Sequence, residues 1–169
     1  MVDNNGAWEN RRDQAVPTVG VIVPTYNTAN YIQETLDSIF AQTFKDYEVV
    51  VVNDGSPDTE ELERVLAPYF SRITYIKQEN RGWSVARNTA IRATQAPLIA
   101  LLDSDDIWEP NYLAMQVAEM QRDATIDVLY PDAGTFGDSI FAGRTYMDLC
   151  PSNGEVTFES LLTQDAMSW

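Results

Sequence analysis

Apolar residues follow two rhythms along this chain. Short runs rich in β-branched side chains, VGVIV at 19–23, YEVVVVN at 47–53, ITYIK at 73–77 and LIALLD at 98–103, alternate with stretches whose apolar positions recur at helical spacing. In the first such stretch Tyr31, Ile32, Thr35, Leu36, Ile39 and Phe40 fall on one face. Punctuation supports the division: Asn27 or Thr28 can cap the first helix, Ser56-Pro57 opens the second, Ser84 stands near the start of the third, and Pro110 suits the first turn of the fourth. IDVLYP at 126–131 reads as a further strand, and TFESLL at 157–162 as a last short helix beyond the Gly-punctuated DAGTFGDSIFAGR. Strands alternating with helices predict an α/β fold, a mostly parallel sheet flanked by helices. The polar residues 1–17 read as a flexible leader, 18–131 as the α/β domain, and 132–169 as the incomplete start of a separate region.

A parallel sheet gathers its ligands outside the carboxyl ends of the strands, where strand order reverses. The segments leaving those ends are PTYN at 24–27, NDGSPD at 53–58, KQENRG at 77–82 and DSDDIWEP at 103–110. All four are polar and turn-forming, and two are dense in carboxylates.

Charge narrows the chemistry. With 26 acidic against 11 basic residues the formal net charge is −15, which argues against nucleic acid as a partner. No apolar run approaches the roughly 20 residues of a transmembrane helix, and the first residues lack the apolar middle of a signal peptide, so a soluble cytoplasmic protein is expected, with a peripheral place at the membrane left open. One cysteine, Cys150, excludes an intramolecular disulfide, and the absence of histidine excludes His-based zinc sites and Ser-His-Asp triads. Chemistry here must run on carboxylates, hydroxyls, backbone amides and a few basic side chains.

Asp103, Ser104 and Asp105 form a D-x-D, followed at once by Asp106. Carboxylates on a short loop suit a hard divalent cation, Mn²⁺ or Mg²⁺, that prefers oxygen ligands and keeps positions open for water and phosphate. The plainer reading has Asp105 or Asp106 capping the next helix, but a cap needs one acid and three stand within four residues. Asn53-Asp54-Gly55 is a strong turn signal by itself; at the same sheet end, Asp54 can also accept a hydrogen bond from a base or ribose. In ENRGWSVARN at 79–88, Arg81 and Arg87 could meet phosphate or base groups, or lie in solvent on a helix that packs through Ala86 and Ala90. PTYN could simply end a strand, although a tyrosine there can contact a nucleobase.

Together and in this order, VGVIVPTYNTANYIQETLDSIFAQTF, YEVVVVNDGSPD, NRGWSVARN and ALLDSDD resemble the nucleotide-binding half of family 2 glycosyltransferases, over roughly residues 18–130. The resemblance implies a Rossmann-like GT-A fold and inverting transfer of a sugar from a nucleotide diphosphate donor, usually a uridine one, with a divalent metal. Acceptors in such a family are saccharides, lipids and proteins alike, as in polysaccharide biosynthesis. Carried over by position, Pro24, Thr25 and Tyr26 would line the nucleoside pocket, Asp54 would contact the base, and Arg81 would lie beside that pocket. Asp103 would lie near the ribose and metal, and Asp105 would ligate the metal.

The resemblance also implies a general base on an acidic motif later than the D-x-D, which this chain lacks. It is therefore expected to be a donor-binding portion, with 132–169 the incomplete start of the acceptor-side region and the base past Trp169, Asp132 and Asp165 being the weak stand-ins. The alternative is a nucleotide-sugar and metal binding module without a base of its own. A phosphoacceptor receiver domain or a D-x-D phosphatase would need its acids after the first strand, where this chain has PTYN.

Overall fold

Four strands form because each apolar run is flanked by turn-forming residues; the runs at 19–25 and 47–54 are buried on both faces, while those at 74–78 and 98–101 are only partly covered. The computed structural model describes residues 16–137 and 140–149, which divide into two compact units, Met1–Glu119 and Met120–Trp169. From the start of the described residues the order is β1 (Val19–Thr25), α1 (Ile32–Phe40), β2 (Tyr47–Asp54), α2 (Thr59–Leu66), β3 (Thr74–Gln78), α3 (Trp83–Ala93), β4 (Leu98–Leu101) and α4 (Tyr112–Arg122), all in the first unit except the last three residues of α4. The sheet is wholly parallel in the order β3-β2-β1-β4. The chain builds outward from β1 to β3, then returns to place β4 on the other side of β1. Strand order therefore reverses at β1.

Alternation along the strands sorts the core into two layers. Val19, Val21, Val23, Val49 and Val51 face one side, against Ile32, Leu36 and Ile39 of α1, Leu62 and Leu66 of α2, and Leu113 and Val117 of α4. Ile22, Val50 and Val52 face the other, against Ala86 and Ala90 of α3. The two alanines let α3 lie close to the sheet. The helical face read from the sequence holds at Ile32, Thr35, Leu36 and Ile39, which are buried. Tyr31 departs from it: it is the N-cap of α1 and exposed, one residue ahead of the buried stripe.

The caps also differ from expectation. Asn27 adopts a left-handed backbone (φ 57°), so it serves a turn, and Thr28 supplies its backbone carbonyl to the amides of Tyr31 and Ile32 in place of its side chain. The second helix starts after Asp58, with Ser56-Pro57 just ahead of it; Gly82 is the N-cap of α3 with Ser84 in the first turn, and Pro110 lies two residues ahead of α4. Residues 126–131 are not a strand. A strand exists only where a neighbour satisfies its backbone groups, and among the described residues this run has no ladder partner.

In the second unit the described structure is a bridge between Gly134 and Thr145 and the short α5 (Tyr146–Leu149). TFESLL, Cys150 and residues 1–15 of the leader lie outside the described residues, and among those described no helix is long and apolar enough to cross a membrane.

One buried amide holds the exit of β4. Gln42, just past α1 and fully buried, donates through Nε2 to the carbonyls of Ser38 (3.1 Å) and Glu109 (2.8 Å), and its Oε1 accepts the amide of Leu113 (2.9 Å). The amide of Thr43 donates to Pro110 O, that of Trp108 to Ser38 Oγ, and Trp108 stacks on Tyr112 at 4.4 Å. Residues 108–113 are thus anchored to the end of α1. Gln42→Ala strands two carbonyls and a helix-start amide and leaves a void, so it is expected to cost about 3–5 kcal/mol, read as a lowered urea midpoint with unchanged slope.

Candidate active site

The reversal of strand order opens a cleft of about 290 Å³ lined by Pro24, Thr25, Tyr26, Thr28, Asp54, Trp83, Ala86, Asp103, Ser104 and Asp105. Six positions singled out in the sequence thus come together: Pro24 and Thr25 from the end of β1, Tyr26 just after it, Asp54 from the end of β2, and Asp103 and Asp105 from the loop after β4. Arg81 is exposed in the loop before α3 and is not among the lining residues.

The base of the cleft is built from satisfied polar groups. Thr25 is buried and donates its hydroxyl to Val52 O (3.2 Å), which leaves Tyr26, about half exposed, as the side chain that β1 offers to a ligand. Asp54 is 3% exposed, and its carboxylate accepts from Gln78 Nε2 (2.7 Å) and from the amides of Arg81 (3.0 Å) and Gly82 (2.8 Å). An ionised carboxylate has about four acceptor sites, so at most one remains for a ligand. The first task of Asp54 is to hold the 78–82 loop and, through Gly82, the start of α3. The two readings of Asn53-Asp54-Gly55, turn and ligand contact, are therefore compatible. Asn53 belongs to the turn: its Nδ2 donates to Thr59 Oγ1 and Tyr75 Oη and its Oδ1 accepts the amide of Ser56. Burial, chiefly, and the nearby Glu63 push the Tyr75 hydroxyl up to about 12, so it stays protonated as a donor in this network.

The acidic loop behaves differently. Ser104 is buried and donates to Thr28 Oγ1 (2.8 Å), and the amide of Asp106 closes a turn onto Asp103 O (3.1 Å). This turns the flanking Asp103 and Asp105 toward the cleft while Asp105 and Asp106 stay exposed. Although Asp106 reaches solvent, the protein packed around it partly desolvates its carboxyl, and this first, then the charges of Asp105 and Asp103, raises it above its ordinary range. Helix α4 begins at Tyr112, six residues past Asp106, so neither Asp105 nor Asp106 caps it. The capping reading fails, and the clustered negative charge has no helix end to serve.

Among the described residues no group of three or more His, Cys, Asp or Glu side chains is arranged to hold a metal ion unaided. A D-x-D with one exposed and one half-exposed carboxylate fits the other arrangement, in which one or two carboxylates share a Mg²⁺-like ion with substrate phosphates and water.

Thr28, Trp83, Ala86 and Ser104 line the cleft without having been singled out as site residues. Trp83 carried a signal: a large apolar residue directly after a glycine at a helix start, 71% exposed. Ser104 lies inside the D-x-D. Thr28 and Ala86 read only as cap and core.

Of the stand-ins for a base, Asp165 lies outside the described residues. Asp132 belongs to the second unit, where its Oδ1 accepts the amides of Ala133 and Met147 (both 2.9 Å). The Thr145 hydroxyl foremost, and the Met147 amide next, hold its carboxyl below the usual range, which makes it a poor proton acceptor.

The class this architecture defines is a Rossmann-like α/β protein with a ligand cleft at the switch point of its sheet. Its sequence matches the profile of Glycosyl transferase family 2 over residues 20–161, and the chain belongs to that family. It is 38% identical to the glycosyltransferase GlyA of Streptococcus pneumoniae over 158 residues, covering 89% of this chain and 23% of that protein. It is 35% identical to the chondroitin synthase of Escherichia coli over 118 residues, 68% of this chain and 17% of the other. The chain thus spans about a quarter or less of these relatives' length. Among solved structures it resembles S. aureus TarS 1–349 in complex with UDP (TM-score 0.54, 30% identity, 62% of this chain and 32% of that one). It also resembles the mannosyltransferase PcManGT of Pyrobaculum calidifontis in complex with GDP-Man and Mn²⁺ (TM-score 0.57, 29% identity, 73% and 36%). The fold is that of the GT-A glycosyltransferases, as the motif string implied.

Proposed function

We propose that this cleft binds the nucleotide diphosphate of an activated sugar, by preference a uridine one, together with Mn²⁺ or Mg²⁺, and that the protein serves transfer of the sugar to an acceptor hydroxyl with inversion. The observation that carries the reading is the convergence of Pro24, Thr25 and Tyr26, Asp54 and the D-x-D on one switch-point cleft. Pro24, Thr25 and Tyr26 would form the nucleoside side, with the Tyr26 ring against the base. Asp54 would offer its remaining acceptor position there, and Arg81 would approach from the adjoining loop. Asp103 and Asp105 would hold the cation, which when bound neutralises charge that develops on the departing diphosphate. UDP and UDP-GlcNAc in TarS complexes and GDP-Man with Mn²⁺ in PcManGT fit this assignment. A cytoplasmic place goes with it, and the acceptor's class is left to whatever completes the acceptor side.

Calorimetry of the chain with UDP and with GDP, in Mn²⁺ and then in EDTA, tests the reading. UDP is expected to bind in Mn²⁺ and to weaken at least about tenfold in EDTA, a loss of 1.4 kcal/mol or more. Equal affinity in the two buffers would refute metal-supported diphosphate binding, and tighter GDP than UDP binding would overturn the uridine preference.

A further inference from the structure

Arg87 stands one turn past Trp83 on α3 and pairs with the acidic loop. Its Nη2 lies 2.6 Å from Asp103 Oδ1, and the guanidinium sits 5.4 Å from the centroid of the Trp83 ring. The Arg87 side chain is 28% exposed, that of Asp103 45%. Arg87 Nε is buried and has no hydrogen-bond partner. Leaving a buried N–H of a charged group unpaired is costly, and nothing in the packing of α3 requires it, because that helix meets the sheet through Ala86 and Ala90. What the arrangement does achieve is a short charge-assisted bond that orients the first carboxylate of the D-x-D.

The three carboxylates that line the cleft, Asp54, Asp103 and Asp105, against one guanidinium leave two negative charges, the complement of one divalent ion. Without Arg87 the same ion would leave the site net negative, and a diphosphate would meet repulsion there.

We infer that Arg87 is a positioning residue: paired with Asp103, it trims the negative charge of the cleft so that metal and diphosphate can bind together. This rests on the reading of the cleft given above, and the test separates the two. It uses Arg87→Met and Arg87→Lys beside the parent chain, with three measurements. Mn²⁺ alone is titrated by electron paramagnetic resonance, UDP in Mn²⁺ by calorimetry, and unfolding is followed by heat.

Arg87→Met is expected to bind Mn²⁺ alone about 3–10-fold tighter, because one positive charge has left a partly exposed site. It should also bind UDP in Mn²⁺ at least about tenfold more weakly, because Asp103 is no longer held and the diphosphate meets an extra negative charge. Arg87→Lys keeps the charge without the planar fork, so Mn²⁺ affinity should stay within about twofold while UDP affinity is only partly restored. A merely structural role moves both affinities down together with the melting temperature. Mn²⁺ affinity of Arg87→Met equal to or below the parent's overturns the inference, and so does unchanged UDP affinity. If Arg87→Met does not fold, parent-like UDP binding by Arg87→Lys overturns it. Failure of the parent to show Mn²⁺-dependent UDP binding refutes the cleft assignment, and the Mn²⁺-only titrations still decide the role of Arg87.

Discussion

Asp105→Ala is expected to abolish the Mn²⁺ enhancement of UDP binding while leaving the fold as stable as before. Asp105 is the exposed acid of the D-x-D, lines the cleft, and has no helix end to cap. Removing a group that merely supports a metal ligand typically costs about 10–100-fold in metal affinity, so removing a ligand should cost more than about 100-fold. Stability should move the other way or not at all. Asp105 is one of the charges that push the Asp106 carboxyl upward, so its removal relieves repulsion, and exposed substitutions of this kind stay within about 0.5 kcal/mol. Calorimetry with UDP in Mn²⁺ and a thermal melt on the same preparation check both halves. Parent-like affinity would remove Asp105 from the metal site; a collapsed melting temperature would make its role structural.

Gly55→Ala should have the largest effect on stability of any single-methyl change at the cleft. Gly55 holds φ at +65°, where a side chain is strained, and an added Cβ would come within 2.6 Å of the backbone nitrogen of Asn80. That nitrogen belongs to the loop that Asp54 grips through Arg81 and Gly82, so it cannot retreat without loosening those bonds. Left-handed strain of about 1–3 kcal/mol and overpacking of about 1–3 kcal/mol both apply. A loss of about 3–5 kcal/mol in denaturant unfolding is expected, with weakened nucleotide binding because the start of α3 shifts. A loss below about 1 kcal/mol would show that the 78–82 loop yields freely, contrary to its three bonds to Asp54.

Much of the fold was legible because it depends on short-range patterns. VGVIV and the VVVV of YEVVVVN are apolar on both alternating faces, as the doubly covered centre of a sheet requires, ITYIK and LIALLD form its partly covered outer strands, and each strand appears within a few residues of its expected place. IDVLYP shows the limit of such reading: its composition suits a strand, but pairing is a property of the neighbour, and the neighbour is not written in the run itself. Tyr31 shows it for helices, since a position at the cap leaves the apolar stripe although its spacing matches.

Chemistry divides along the same line. Residue types and their order in the chain determined the α/β class, the polar rim at the strand ends, the acidic loop and the family, because each is set by local periodicity or by a motif. Only the tertiary structure decided that Asp54 spends most of its carboxylate on the 78–82 loop, that Gln42 anchors the segment following the D-x-D, and that Arg87 pairs with Asp103. Those pairings join residues 16 to 71 positions apart, and a carboxylate or amide has the same sequence signature whether its hydrogen bonds end in a ligand, in water or on a distant backbone group. Which of these it meets is set by the folding of the sheet, through the strand ends that the reversal at β1 brings side by side.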